Sequence, residues 1–406
     1  MCARCKGRLW CGSTCWILEK QFNLNRAVSG IQGTEFTGSS PPGVFVSWKN
    51  YPNVSLAPLA PPFVRENAEI MDEPERWFGL PMQRIVEMRE TLIRPVSRFD
   101  AHSASQPERL LSDLQELAMS SDSVEVDVEL LKRPISSHFF SDSVAPMGPV
   151  APLKSFALNE NPAVDKKVDY VVSDTDLKSN AGVLDLYSHG ITVSNLHKLL
   201  SAGLLGIKRN RKLVPTRWAI TAVDSNISKT MAEAIKDYQQ ISEYLVFQSH
   251  YLDNHFFVLL FPSAWCFEQL EAWHPGSAWT PEASEPTIVS DYENYNGRKT
   301  YASNVAGAYY SSRLAVAEYL EARQRQAGCI IFREIGKGYT VPLGVWQIRE
   351  NVRNALSRKA VSFSELNLAL EFIGSKLSIA MNHWKKNSKL LDGIASQTRI
   401  SQWLNA

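Results

Sequence analysis

Phe256-Phe257-Val258-Leu259-Leu260-Phe261-Pro262 is an unbroken apolar run stopped by a proline, and it reads as a strand buried in the interior. A second strand signal, Val124-Glu125-Val126-Asp127-Val128-Glu129-Leu130, is of a different kind. Apolar and acidic residues alternate there, so one face is buried and the other charged. Its three carboxylates could align on a divalent metal, but a solvated strand face is the simpler reading. Working outward, strand-like runs are read at 44–48, 168–176, 218–224, 330–334 and 341–350, the second and third of them ending on acids. Helical periodicity is read at 16–25, 82–92, 107–118, 194–205 (closed by Gly206) and from 306 to 320. Strand and helix signals in this mixed order predict an α+β or α/β core, a mixed sheet covered by helices.

The chain has 406 residues, 44% of them hydrophobic, enough for a sizeable core of two or three domains. No run of 18 or more apolar residues is present and Met1-Cys2-Ala3-Arg4-Cys5-Lys6 has no secretory character, so no membrane partner and a cytoplasmic location are expected. Two Pro-rich or Gly-rich segments look like connections. Residues 30–43 carry Gly30, Gly33, Gly38 and Gly43 and read as a loop. They could cradle a phosphate, but they lack the Lys-Ser/Thr end and the following helix of a P-loop. Residues 141–165 carry Pro146, Pro149, Pro152 and Pro162 and predict a linker. The expected organisation is therefore a small N-terminal element in 1–20, a core in 21–390 divided into two subdomains near 141–165, and a flexible tail in 391–406.

The formal net charge of +1 conceals local asymmetry. Lys208, Arg209, Arg211, Lys212 and Arg217 fall in ten residues with no acid among them, and 349–399 holds nine basic against four acidic residues. Such patches favour phosphates. Trp218 follows the first patch and offers a stacking face for a nucleic-acid base. The run Trp218-Ala219-Ile220-Thr221-Ala222-Val223 then leads to Asp224. Further on, Asp291 and Glu293 precede Gly297-Arg298-Lys299, an arrangement in which carboxylates hold a divalent cation and basic groups hold phosphate. Structural ion pairing is the competing reading for such acids and for the Arg-Glu ends of 330–334 and 341–350. Trp265, Trp273 and Trp279 read as core, and His255 and His274 have no metal-ligand spacing.

Both termini carry motifs. Cys2-x2-Cys5 and Cys11-x3-Cys15 place four thiolates within fifteen residues, and two such pairs can surround one structural Zn2+ tetrahedrally. The short spacer, with Lys6, Arg8 and Trp10, predicts a knuckle rather than a finger with its own recognition helix. At the other end Gln397, Ile400, Trp403 and Leu404 follow the spacing Gln-x-x-aliphatic-x-x-aromatic-apolar. One tight helical turn brings Ile400, Trp403 and Leu404 to one side as an apolar plug. The pattern resembles the peptide by which repair and replication proteins dock on the DNA polymerase sliding clamp (PCNA). Leu404 stands where many such peptides carry a second aromatic, which weakens docking. The competing reading is a last helical turn packed on the core.

Taken with the internal Arg211-Lys212-Leu213-Val214-Pro215-Thr216-Arg217-Trp218 and Gly344-Val345-Trp346-Gln347-Ile348-Arg349-Glu350, the two terminal motifs make the whole chain resemble the archaeal Nre DNA-repair proteins. The resemblance implies a part in DNA damage repair, a zinc element on Cys2, Cys5, Cys11 and Cys15, and clamp binding through Gln397 to Leu404. It implies no reaction. The expected function is a DNA-binding repair factor tethered to the clamp. The alternatives are a nuclease or other phosphate-directed hydrolase, with Asp224, Asp291 and Glu293 on a cation and Lys212, Arg217 and Arg298 on phosphate, and an adaptor without chemistry.

Overall fold

The alternating run 124–130 buries Val124, Val126, Val128 and Leu130 and turns its acids outward. There Glu129 meets Lys154 at 2.6 Å and Asp127 accepts the Thr37 hydroxyl at 2.6 Å. It is a solvated strand face. The computed structural model describes residues 16–134 and 146–396. It divides into two compact units, the first ending at Asn226 and the second beginning at Ile227. Residues 150–158, within the Pro-rich segment, form a strand hydrogen-bonded on both sides in the first sheet.

The first unit comprises, in chain order, α1 (Trp16–Ser29), β1 (Glu35–Ser40), β2 (Val44–Val46), β3 (Asn53–Pro58), α2 (Met82–Thr91), β4 (Arg94–Asp100), α3 (Arg109–Met119), β5 (Val124–Leu130), β6 (Val150–Leu158), α4 (Lys166–Ser173), α5 (Ser179–Ser188), α6 (Val193–Ser201) and α7 (Thr216–Ile235), within which the division falls. Its sheet has the order β1-β5-β6-β4-β3-β2, antiparallel except for the β4–β6 pair. The Gly-rich segment expected to be a loop contains β1. Glycine is required there by close approach: a Cβ at Gly38 would lie 1.8 Å from the carbonyl oxygen of Pro61.

Three expected strands are helical. Residues 168–172 belong to α4, whose start is fixed by the Asp165 carboxylate accepting the amides of Lys167 (2.7 Å) and Val168 (3.3 Å). Residues 218–224 lie in α7, and 346–350 open a helix of the second unit. In each case β-branched and aromatic side chains gave a strand signal that tertiary packing overrides.

The second unit continues with β7 (Tyr244–Tyr251), β8 (Asn254–Phe261), β9 (Cys266–Trp273), β10 (Thr287–Glu293), α8 (Gly307–Arg323), β11 (Gly328–Ile335), α9 (Trp346–Leu356), β12 (Val361–Phe363), α10 (Leu366–Gly374), α11 (Met381–Asn387) and α12 (Lys389–Ser396). The strand order is β10-β9-β11-β8-β7-β12, with β9 and β11 parallel and every other pair antiparallel. Helices cover both faces. Phe256, Val258 and Leu260 pack with residues of α8 and α9, while Phe257, Leu259 and Phe261 pack with α10, α11 and α12. An unbroken apolar strand is what a sheet covered on both faces requires. On the second face Glu268 of β9 caps α12: its carboxylate accepts the Ser388 hydroxyl (2.5 Å) and the amides of Lys389 (2.8 Å) and Leu390 (3.1 Å).

Candidate functional site

The basic stretch 208–217 in the first unit is spread on the surface by hydrogen bonds at its apolar positions. The Leu213 amide donates to Ala101 (2.8 Å), the Val214 amide to Ser201 (3.0 Å), and the Ser201 hydroxyl back to Val214 (2.8 Å). Thr216 accepts the Val46 amide at 2.9 Å, which fixes the start of α7 beside the end of β2. With Leu213 and Pro215 turned inward, Lys208, Arg209, Lys212 and Arg217 remain exposed. Arg211 does not share their role. It is buried, and its guanidinium donates to the carbonyls of Gly206 (2.8 Å), Val172 (2.8 Å) and Asp174 (3.0 Å). Burial lowers its pKa, and the side chain ties the loop to the end of α4.

Trp218 is 47% exposed, and its ring lies 5.2 Å from that of the exposed Tyr51. Trp48 and Lys49, in the same β2–β3 connection as Tyr51, are exposed as well. The sequence reading singled out Trp218 but not Tyr51 or Trp48 as stacking groups. The available signal was Trp48-Lys49-Asn50-Tyr51 itself, two aromatics in a polar turn with no core to fill. The first unit therefore presents flat aromatic faces and lysine and arginine side chains on segments joined by the Val46–Thr216 bond. That combination suits base stacking with phosphate contact.

In the second unit Asp291 and Glu293 point to the face of the sheet covered by α8 and α9 and are buried. One Asp291 oxygen accepts the amides of Asn304 and Val305, both at 2.8 Å, and the other lies 3.1 Å from Arg298. Arg298 also donates to the carbonyls of Tyr292 (2.8 Å) and Tyr301 (3.2 Å). Glu293 binds Arg313 at 2.7 Å and the Trp265 indole at 3.0 Å. Tyr309 lies under both guanidiniums, at 5.3 Å from Arg298 and 5.7 Å from Arg313, and its hydroxyl has no hydrogen-bond partner among the described residues. Burial, and then the nearby Glu293 charge, raise its pKa.

The structure thus brings Asp291, Glu293 and Arg298 together, with Lys299 exposed beside them. Both oxygens of each carboxylate already hold protein donors, so the group closes the 294–306 connection onto the start of α8. Asp224 belongs to the first unit with Lys212 and Arg217, is fully buried, and lies 3.4 Å from His197 Nε2. Cys2, Cys5, Cys11 and Cys15, and Gln397, Ile400, Trp403 and Leu404, lie outside the described residues. Among the described residues no helix is long and apolar enough to cross a membrane.

Comparison with known proteins covers almost the whole chain. The family model described as archaeal Nre, N-terminal, matches residues 10–280, and that described as archaeal Nre, C-terminal, matches 293–403. The chain is 39% identical over 394 residues to DNA repair protein NreB of Archaeoglobus fulgidus, covering 96% of each. It is 36% identical over 371 residues to DNA repair protein NreA of the same organism, covering 91% of this chain and 92% of that one. A third relative, DNA repair protein NreA of Haloferax volcanii, is 32% identical over 370 residues, 90% of this chain and 88% of its own. No solved structure matches. On these matches, and as its motifs implied, the chain belongs to the archaeal Nre family.

Proposed function

We propose that this chain is a DNA repair factor that grips DNA through the basic and aromatic face of its first unit and is held at the sliding clamp by its segment from Gln397 to Leu404. The repair role is supported by relatives that are named DNA repair proteins and match over nearly their full length. The DNA-binding role is carried by one observation, the exposed Trp218–Tyr51 ring pair bordered by Arg217 and Lys49. Exposing large aromatics is costly in a surface without a ligand, and bases stacked on them contribute about 1–3 kcal/mol each. Lys208, Arg209, Lys212 and Arg217 add phosphate contacts whose strength falls with salt.

Fluorescence anisotropy with a labelled DNA single strand tests this. Trp218→Ala is expected to weaken binding about tenfold at every salt concentration, the loss of roughly one stacked base. Arg217→Ala should instead flatten the salt dependence, by about one in the log–log slope. Parent affinity in both variants would overturn the assignment of this face. For the terminal elements, the reading assigns a structural Zn2+ to Cys2, Cys5, Cys11 and Cys15, whose four thiolates are a complete tetrahedral donor set.

A further inference from the structure

The turn joining β7 and β8 is unusual in its chemistry. Its two central residues, Leu252 and Asp253, both have positive φ, 54° and 52°. That is the backbone of a tight two-residue hairpin, which glycine or asparagine ordinarily supplies, and a leucine in it is strained. The turn sets the register that places His250 directly opposite His255. Their rings stack at 4.0 Å, and the two imidazoles and the Asp253 carboxylate offer donor atoms all within 4.8 Å of one another. Sequence spacing alone did not reveal this: His250-x2-Asp253-x-His255 is a ligand set only once the chain reverses at 252–253.

The surroundings hold the carboxylate in position. The Gly338 amide donates to Asp253 Oδ2 at 2.6 Å, and the Gly336 amide donates to the Asp253 carbonyl at 2.8 Å. A Cβ at Gly336 would lie 2.2 Å from that carboxylate, so the connection after β11 has glycine where the acid needs room. On the neighbouring strand Glu334, opposite His255, is held by His274 at 3.1 Å and by the amides of Ser378 and Ile379. Its two oxygens are thus occupied by groups of the fold, and it acts on His255 only through its charge.

We propose that His250, Asp253 and His255 bind a first-row divalent transition cation at the tip of the β7–β8 hairpin. Two imidazoles exclude calcium and magnesium, which take oxygen donors, and one carboxylate with two histidines is a donor set used for Zn2+ and Fe2+. Tetrahedral ligands about 2.1 Å from a metal are about 3.4 Å from one another, so closure from the present spacing requires side-chain shifts on the order of 1 Å. His250 is exposed and the other two are half-buried, so the cation faces solvent and keeps positions for water or a ligand oxygen. This site is separate from the four N-terminal cysteines in residue and in ligand type.

Co2+ titration of the whole metal-free chain distinguishes the two. Thiolate-bound Co2+ absorbs strongly in the near ultraviolet, whereas a site of imidazole and carboxylate gives only weak visible bands. The parent is expected to show both. His250→Gln, at an exposed position, should lose the weak bands, or weaken their titration at least about tenfold, with the thiolate absorption retained. His255→Gln should do the same, and Zn2+ calorimetry should show the same loss. Identical titrations for the parent and both variants overturn the proposal, as does a loss confined to the thiolate absorption.

Discussion

Glu90 shows how one residue can set a pH dependence. It is buried in the last turn of α2, where one carboxylate oxygen accepts the Asn23 side-chain amide at 3.0 Å. Burial pushes its pKa from 4.5 up to about 7, with the Asn23 hydrogen bond opposing. The folded protein therefore holds this proton more tightly than the unfolded chain. Stability from Glu90 is fully present below pH 4.5, is lost as pH rises through about 7, and is absent above. The full difference is on the order of 3 kcal/mol. Glu90→Gln keeps an acceptor for Asn23 and removes the charge. Calorimetric melting should place the variant several degrees above the parent at pH 8 and close to it at pH 4.5; an equal gap at both would show that the charge is not the cause. Arg89-Glu90-Thr91 reads as an ordinary helix surface in sequence, and only the packing of α1 against α2 buries it.

At the scale of an element, the inner face of the second sheet carries a polar chain through an apolar core. Ser312 of α8 bonds Gln269 of β9, whose amide donates to Glu271 at 2.8 Å. Glu271 accepts from Arg333 of β11 at 2.7 Å, and Arg333 also reaches Asn254 of β8 (2.9 Å) and Gln347 of α9 (3.4 Å). One guanidinium thus links three strands and a helix. Arg333→Met leaves Glu271 as an uncompensated buried charge, and the cost should be about 3–5 kcal/mol. Arg333→Met with Glu271→Met should recover much of it, measured as urea unfolding midpoints. A double variant no more stable than the single would contradict this account. The strands here were legible because apolar runs and alternation report burial directly. The polar chain was not: Arg333-Glu334 looked like a strand end, and register rather than spacing sets Arg333 beside Glu271. Elsewhere β1 was missed because the glycine its close approach needs also signals a loop. Residues 218–224 were misread because a helix start held by Thr216 and Val46 overrides β-branched composition.

Across the whole molecule, the two family matches and the two structural units do not share a boundary. The family models leave 281–292 unmatched, a stretch that takes in nearly all of β10, which pairs with β9 in one sheet, whereas the units divide at Asn226 and Ile227. The break between the family models is therefore not a break in the fold. What joins the proposed activities is the single chain, with a DNA-binding face in the first unit and a clamp peptide about 180 residues further on, each needing only modest affinity of its own. Once the peptide docks on a clamp encircling DNA, the second binding event becomes intramolecular, and a connection that lets both engage at once strengthens it by about 10²–10⁴ without new contacts. Removing Gln397 to Ala406 should leave affinity for free DNA unchanged and lower affinity for clamp-loaded DNA at least about a hundredfold, and Trp403→Ala should reproduce the second effect. Trp218→Ala should weaken binding to both substrates. Anisotropy on end-blocked DNA with and without loaded clamp reads all three. Equal binding of the parent and the truncated chain to clamp-loaded DNA would refute the tether, whereas a parallel loss on free DNA would place the terminal segment in the DNA-binding face itself.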